Sequence, residues 1–299
     1  MHKVTVVGAV NIDICGKPEN KFVPCDSNVG SVTHTIGGVG FNVARNLALL
    51  GADVSFIAAI GNDTYTKEIE KEAEKYSIDI SKCLRVSNMP NSTYLFVTDE
   101  NGDMLAAVND MRITRKLEKE YFESVLPFIN KSDAVVIDAN LESEILEYIC
   151  ERVSVPIYAD AVSACKAPRL KSCFGHLSML KPNSIEAEIL TGIDVKDFVS
   201  AQKAAKILVD EYSVKSVFIT LGKTGALAYD GKTLVKRAAL TEKLVNTAGA
   251  GDAFFACCVF ALLSKKSLEE CCDLALRGAA CVCACETAVN VNLKTDISA

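Results

Sequence analysis

The sequence predicts an α/β fold: a mainly parallel sheet with helices on both faces and a small separate β-sheet attached to it. Two observations carry this reading. Short β-branched runs alternate with amphipathic segments along nearly the whole chain, as parallel strands joined by crossover helices require. Two stretches, about 13–36 and 92–110, break that rhythm and read as extended strands. A length of 299 residues allows two domains or one large α/β unit with an appendage. No internal repeat or low-complexity linker divides the chain, so a single unit over 1–299 is expected.

The elements follow in order. Val4–Val10 reads as the first buried strand, because the run after Met1-His2-Lys3 is too short and too quickly polar for a secretion signal. Residues 13–36 are polar and carry no helical period. Val39–Leu50 places Val43, Leu47 and Leu50 at helical spacing, with Gly51 as a stop. Val54–Ile60 is a strand and Tyr65–Tyr76 a helix. Ser92–Val97 and Met104–Val108 flank Asn101-Gly102, a strong hairpin signal. Further strands are expected at Ala134–Asp138, Ile157–Asp160, Ser178–Leu180 and Val217–Leu221, and helices at Glu142–Arg152, Asp197–Tyr212, Ala250–Leu263 and Leu268–Glu286.

Composition narrows the function classes. With 49% hydrophobic and 23% charged residues the chain buries a sizeable core and is not disordered. Its 32 basic and 38 acidic side chains give a net charge of −6, which argues against nucleic acid or an anionic membrane as partner. A small anion remains possible, since backbone N–H groups at a helix start hold phosphate without a positive field. The longest apolar stretch, Ala253–Leu263, is well short of the ~20 residues that span a bilayer, and a cytoplasmic location is expected. Thirteen cysteines, an odd number set in apolar runs, read as small buried hydrophobes rather than disulfides. Cys281, Cys283 and Cys285, two apart on a helix, do not converge on one metal ion.

Four motifs bear on chemistry. Gly37-Gly38-Val39-Gly40-Phe41-Asn42 puts glycines at a helix start, either a tight turn or a place where a ligand meets backbone; Val43 breaks the dinucleotide fingerprint. Asn246-Thr247-Ala248-Gly249-Ala250-Gly251-Asp252 exposes successive amides before an apolar helix, an anion hole with a carboxylate at its mouth. Asp252 there is either a helix cap or a base for phosphoryl transfer. In Lys181-Pro182-Asn183-Ser184-Ile185-Glu186, Asn183 and Glu186 form either a capping box or oxygen donors for a hydrated magnesium ion. Gly222-Lys223-Thr224 imitates the end of a phosphate-binding P-loop, but Val217 occupies the place of its first glycine. What is left is a strand end that carries a nucleotide or merely turns.

In this order and spacing the four motifs resemble the PfkB (ribokinase-like) carbohydrate kinase family over nearly the whole chain, from Asn11-Ile12-Asp13 to the last helix. The resemblance implies a ribokinase-like three-layer α/β/α sandwich whose small sheet acts as a lid, and transfer of the ATP γ-phosphoryl group to a sugar hydroxyl with Mg2+ as cofactor. By position, Asp252 would take the hydroxyl proton and the run Ala248, Gly249, Ala250 and Gly251 would form the anion hole. Asn11, Asp13, Gly37, Gly38 and Asn42 would hold sugar hydroxyls. Asn183 and Glu186 would lie near magnesium, Glu186 reaching it through water, while Thr220, Gly222 and Gly225 would line the nucleotide groove. Asn246 stands where the family usually has an aspartate that helps bind a monovalent cation, which weakens the expectation of potassium activation. Segments such as Asp138-Ala139-Asn140-Leu141 and Asp160-Ala161-Val162-Ser163-Ala164-Cys165-Lys166 resemble the branch that phosphorylates pseudouridine at its 5′-hydroxyl. For that branch Ser27, Asp110 and Lys166 are the candidate uracil contacts. A homodimer through the lid is a further expectation, since exposed strands invite partners.

One argument from the residues points to a neutral alcohol. Gripping a sugar phosphate takes Arg or Lys, yet in 13–36 Lys17 and Lys21 are offset by Asp13, Glu19 and Asp26, with no arginine. Asn11, Asp13, Asn42 and Asp110 suit hydroxyl groups. The alternatives are a kinase for ribose, another nucleoside or a hexose, and a noncatalytic sugar or nucleotide sensor. A sensor has no need of the aspartate at 252.

Overall fold

The computed structural model describes residues 1–240 and 244–297. In chain order the regular elements are β1 (Lys3–Val7), β2 (Asn11–Pro18), β3 (Gly30–Gly37), α1 (Val39–Leu50), β4 (Asp53–Ile57), β5 (Ala59–Ile60), α2 (Thr66–Lys75), β6 (Leu84–Arg85), β7 (Ser92–Thr98) and β8 (Met104–Asp110). Then follow α3 (Lys119–Ile129), β9 (Ala134–Asp138), α4 (Ser143–Arg152), β10 (Ile157–Asp160), β11 (Leu177–Lys181), α5 (Ser184–Thr191) and α6 (Phe198–Lys206). The chain closes with β12 (Val217–Thr220), β13 (Ala226–Tyr229), β14 (Leu234–Arg237), α7 (Ala250–Leu263), α8 (Leu268–Cys283) and α9 (Leu293–Asp296).

Eight strands form the central sheet in the order β14-β13-β12-β11-β10-β9-β1-β4. The six from β4 to β12 are parallel, and β13 and β14 add an antiparallel edge. Because side chains alternate along a strand, Val136 packs into one layer while Val135 and Ile137 pack into the other. The first layer is closed by α1, α2, α7, α8 and α9, the second by α3, α4, α5 and α6. This is the three-layer sandwich. From β1 the chain builds β4 on one side and β9 onward on the other, so the order reverses at β1 and opens a crevice at the strands' carboxyl ends, where such sheets bind ligands.

The segments that broke the rhythm form a second sheet, in the order β3-β2-β7-β8. Here β2 runs antiparallel to β3 and parallel to β7, and the β7–β8 hairpin turns through Gly102 at φ 98°. Alternation along β2 puts Asn11 and Asp13 on one face and Ile12 and Ile14 on the other. By register Val32, Leu95 and Val108 share the second face, and all three are exposed.

Several boundaries differ from the sequence reading. Val4–Val10 stops as a strand at Val7, and Val54–Ile60 divides into β4 and β5, the latter pairing with β6. The helix over Asp197–Tyr212 continues past Lys206 as a wider π-helical turn over Ile207–Glu211. Helix α3 was not anticipated: Pro127 lies inside it and hides the period of Phe122, Val125 and Ile129, which are its buried residues. The β13–β14 hairpin turns at Asp230-Gly231, with Gly231 at φ 87°. Cysteines pack as small apolar residues: Cys257, Cys258, Cys271 and Cys272 are buried thiols between α7 and α8. A Cβ on Gly278 of α8 would come 2.4 Å from the Cys257 Sγ, so these two helices lie close together.

Among the described residues no helix is long and apolar enough to cross a membrane, and no group of three or more His, Cys, Asp or Glu converges as metal ligands.

Candidate active site

Helix α7 starts at the crevice without a side-chain cap. Gly249 precedes it at φ 78°, and a Cβ there would lie 2.0 Å from the Ala288 carbonyl oxygen, so glycine is required. Asp252, in the first turn, does not cap the helix. Its buried carboxylate accepts a 2.7 Å hydrogen bond from Asn42 Nδ2 on α1. The Asn42 side-chain oxygen accepts in turn from the guanidinium of Arg45, which also donates to the Ile36 carbonyl at 2.8 Å. Asn42 and Arg45, three apart, share a helix face. Burial, with the like charge of Asp160, pushes the Asp252 carboxyl up to about 7, against the opposing effects of Asn42, Lys181 and Arg45. A carboxyl near 7 is poised to accept a proton at neutral pH.

Beside it, Lys181 at the end of β11 donates to Asp160 at the end of β10 over 2.8 Å, both side chains being buried. Burial alone would depress the ammonium, but Asp160, Glu186 and Asp252 together hold it charged. A Cβ on Gly251 would come 3.3 Å from Lys181 Nζ. The glycine thus lets the Lys181 ammonium, itself paired with Asp160, come close to the start of α7, the end of a helix that favours anionic oxygen.

For Asn183 and Glu186 the structure builds the capping box. The Glu186 amide donates to Asn183 Oδ1 at 2.9 Å, and the two Glu186 carboxylate oxygens accept from Asn183 N and Nδ2 at 2.8 and 2.7 Å. Thr220 is drawn to the same corner, its amide donating to the Pro182 carbonyl at 3.1 Å. Gly222, at φ 55°, opens a tight turn with nothing within 4 Å of a Cβ. Gly225 has a packing reason instead: a Cβ there would meet the Arg237 carbonyl oxygen at 1.9 Å.

Asn11, Asp13, Gly37, Gly38 and Asn42 come together where β2, β3 and the start of α1 meet. A Cβ on Gly37 would lie 2.0 Å from Asp13 Oδ2, and one on Gly38, at φ 95°, 2.6 Å from the Ala9 carbonyl oxygen. Burial, opposed by Arg45, pushes the Asp13 carboxyl up to about 6. Asn11 Oδ1 is buried and has no hydrogen-bond partner among the described residues, so it is open to a donor from outside the chain. Asp110 and Lys166 line an adjoining polar cavity of about 290 Å³ with Asn140, Met111 and Arg112. Lys166 Nζ donates to Asn140 Oδ1 at 2.7 Å, and Asp110 pairs with Arg112 at 2.6 Å. Ser27 does not join them: it sits on the exposed 19–29 loop, and it is absent from the cavity lining.

Asn246 orders the loop before α7. Its Nδ2 donates to the Glu286 carbonyl and its Oδ1 accepts from the Ala248 amide, each at 2.9 Å. An aspartate has no donor to offer that carbonyl.

Sequence reasoning missed Lys181, Asp160, Asp138, Asn140 and Arg45 as site residues. A signal for two of them was present: β9 and β10 are apolar runs that each end in aspartate, AVVID and IYAD, at the edge where open sheets bind ligands.

A buried carboxyl raised to about 7, a glycine-rich helix start beside a buried lysine, and a cluster of Asn and Asp side chains at one sheet edge would suit an alcohol phosphotransferase. The comparisons agree. The pfkB family carbohydrate kinase model matches residues 1–295. A pseudouridine kinase of Escherichia coli is 33% identical over 256 residues, 85% of this chain and 81% of that protein. A guanosine-inosine kinase of Exiguobacterium acetylicum is 29% identical, covering 94% of each chain. The crystal structure of a ribokinase from Thermotoga maritima superimposes with a TM-score of 0.85 at 25% identity, over 100% of this chain and 98% of that one. With this layered fold and these matches, the chain belongs to the pfkB family of carbohydrate kinases.

Proposed function

We propose that this sugar or nucleoside kinase transfers the γ-phosphoryl group of ATP to the 5′-hydroxyl of pseudouridine. The observation that carries the reaction is Asp252: buried, gripped by Asn42 and raised to about 7 beside the amides of Gly249, Ala250 and Gly251. Similarity to a pseudouridine kinase supports the substrate. So does the cavity around Lys166 and Asn140, whose donors suit the carbonyl oxygens of a uracil ring.

In this reading Asn11, Asp13 and Asn42 orient the ribosyl hydroxyls, and Asp252 accepts the 5′-hydroxyl proton as the oxygen attacks phosphorus. General-base assistance of this kind is worth roughly 10²–10⁴ in rate. The amides before Asp252, with Lys181 behind Gly251, stabilise negative charge on the transferring group. Thr220, Gly222 and Gly225 border the nucleotide groove. Magnesium commonly binds through phosphates, waters and one or two carboxylates, and a buried Glu186 whose carboxylate is held by Asn183 fits contact through water; the metal, when bound, would neutralise phosphate charge. The small sheet closes over the alcohol as a lid and excludes water, and its exposed Val32, Leu95 and Val108 face a second copy of the chain. The enzyme works in the cytoplasm.

Likeness to guanosine-inosine kinase and ribokinase favours a second reading, in which another nucleoside or ribose is the acceptor. ATP consumption with pseudouridine, uridine, inosine, ribose and fructose 6-phosphate side by side decides. The highest kcat/KM is expected for pseudouridine; a higher value for any other acceptor refutes the assignment.

A further inference from the structure

We propose that Asp138 is a positioning residue that holds the ribosyl-binding helix start and the base-end cavity in register. The inference rests on the kinase reading above and adds to it a residue that touches no reacting atom.

Asp138 closes β9 and is 1% exposed. Its carboxylate gathers three backbone donors from three segments. Oδ2 accepts from Ala9 N at 3.1 Å, just past β1, and from Gly40 N at 3.0 Å, at the start of α1. Oδ1 accepts from Asn140 N at 2.9 Å, in the loop after β9. The backbone is shaped around this oxygen: a Cβ on Gly8 would lie 2.4 Å from Oδ2 and one on Gly40 2.8 Å. The glycine of the Gly37-Gly38-Val39-Gly40 run that no turn geometry requires is thereby explained.

Each clamped segment leads directly to a substrate-facing group. Ala9 is two residues before Asn11. Gly40 is two before Asn42, which grips Asp252 at 2.7 Å. The Asn140 side chain accepts from Lys166 Nζ at 2.7 Å inside the cavity. One carboxylate therefore sets the spacing between the groups for the ribosyl hydroxyls and those for the ring. Burial pushes the Asp138 carboxyl above the ordinary range, opposed by the Asn140 side chain, the amides of Ala9 and Asn140 and the Lys166 ammonium. An asparagine of the same shape would turn an N–H toward at least one of these donors, because an amide has only one acceptor oxygen. The buried amides of Ala9, Gly40 or Asn140 would then have to move to find a partner.

The test uses the full-length protein with Asp138→Asn and, separately, Gly40→Ala, which keeps the carboxylate but displaces it. KM and calorimetric dissociation constants are measured for the alcohol and for ATP, with the thermal midpoint as a check on folding. The expected result in both variants is a KM for the nucleoside raised at least tenfold, with ATP binding within twofold of wild type. A residue serving only the fold would lower the midpoint without that split. A nucleoside constant within twofold of wild type in a folded variant, or equal weakening of both substrates, overturns the proposal; where Asp138→Asn does not fold, Gly40→Ala is judged by the same criteria. Should another alcohol prove the better substrate, the pseudouridine assignment fails, and the split measured with that alcohol still decides the role of Asp138.

Discussion

Asp252→Asn should destroy turnover and stabilise the protein. The fold holds the carboxyl at about 7 against an ordinary 3.8, so the native state prefers it protonated while the unfolded chain ionises it. The penalty is absent below the unfolded value, grows as pH rises from about 4 and is complete above 7. At 1.36 kcal/mol per pKa unit the gap amounts to about 4 kcal/mol at pH 8 and under about 2 kcal/mol at pH 5. Asparagine carries no charge and still offers Asn42 an acceptor oxygen. The variant should therefore melt several degrees above wild type at pH 8, the gain shrinking at pH 5, while kcat falls by roughly a hundredfold or more. Differential scanning calorimetry at both pH values, together with a coupled ADP-release assay, measures the pair of effects. A lower melting temperature at pH 8, or turnover within tenfold of wild type, would refute the reasoning.

Three further outcomes are expected. The acid limb of kcat/KM should lie near pH 7, with about a fivefold loss from pH 7 to pH 6 as the ionised fraction of Asp252 falls from about half to about a tenth; a flat profile over that range removes it as the base. Gly37→Ala, which drives a Cβ to 2.0 Å from Asp13 Oδ2, should raise the alcohol KM about tenfold or more, roughly 1.4 kcal/mol, with ATP KM unchanged; an unaltered alcohol KM would detach Asp13 from the site. Wild-type activity should be the same in potassium and sodium salts, because Asn246 already donates to the Glu286 carbonyl. Asn246→Asp should lose activity and recover part of it with potassium, whereas several-fold potassium stimulation of the wild type contradicts this account.

The layered fold was legible in the sequence because its strands are nearly all apolar and its crossover helices regular, as in Ala134–Asp138 followed by Glu142–Arg152. Helix α3 was hidden by Pro127, and the last hairpin by strands of only four residues each. At the site, Gly37, Gly38, Asn42 and the run ending at Asp252 were marked by glycine spacing, and the structure brings Asn42 to 2.7 Å from Asp252. Those acting through long-range contacts were not, since Lys181 meets Asp160 across 21 positions and Asp138 meets Gly40 across 98. Local pattern carries no information about such distances. Ser27 was suggested only by its neighbours in sequence, and the structure places it on an exposed loop outside the lining of the Lys166 cavity.

Helix α7 is apolar on every side and wedged between α1 and α8, with every residue from Asp252 to Val259 buried. A rod enclosed all round has nowhere to tilt, so Asp252 is mounted on the stationary part of the machine. If alcohol and base must be brought together for reaction, the travel would then fall to the outer sheet rather than to this rod.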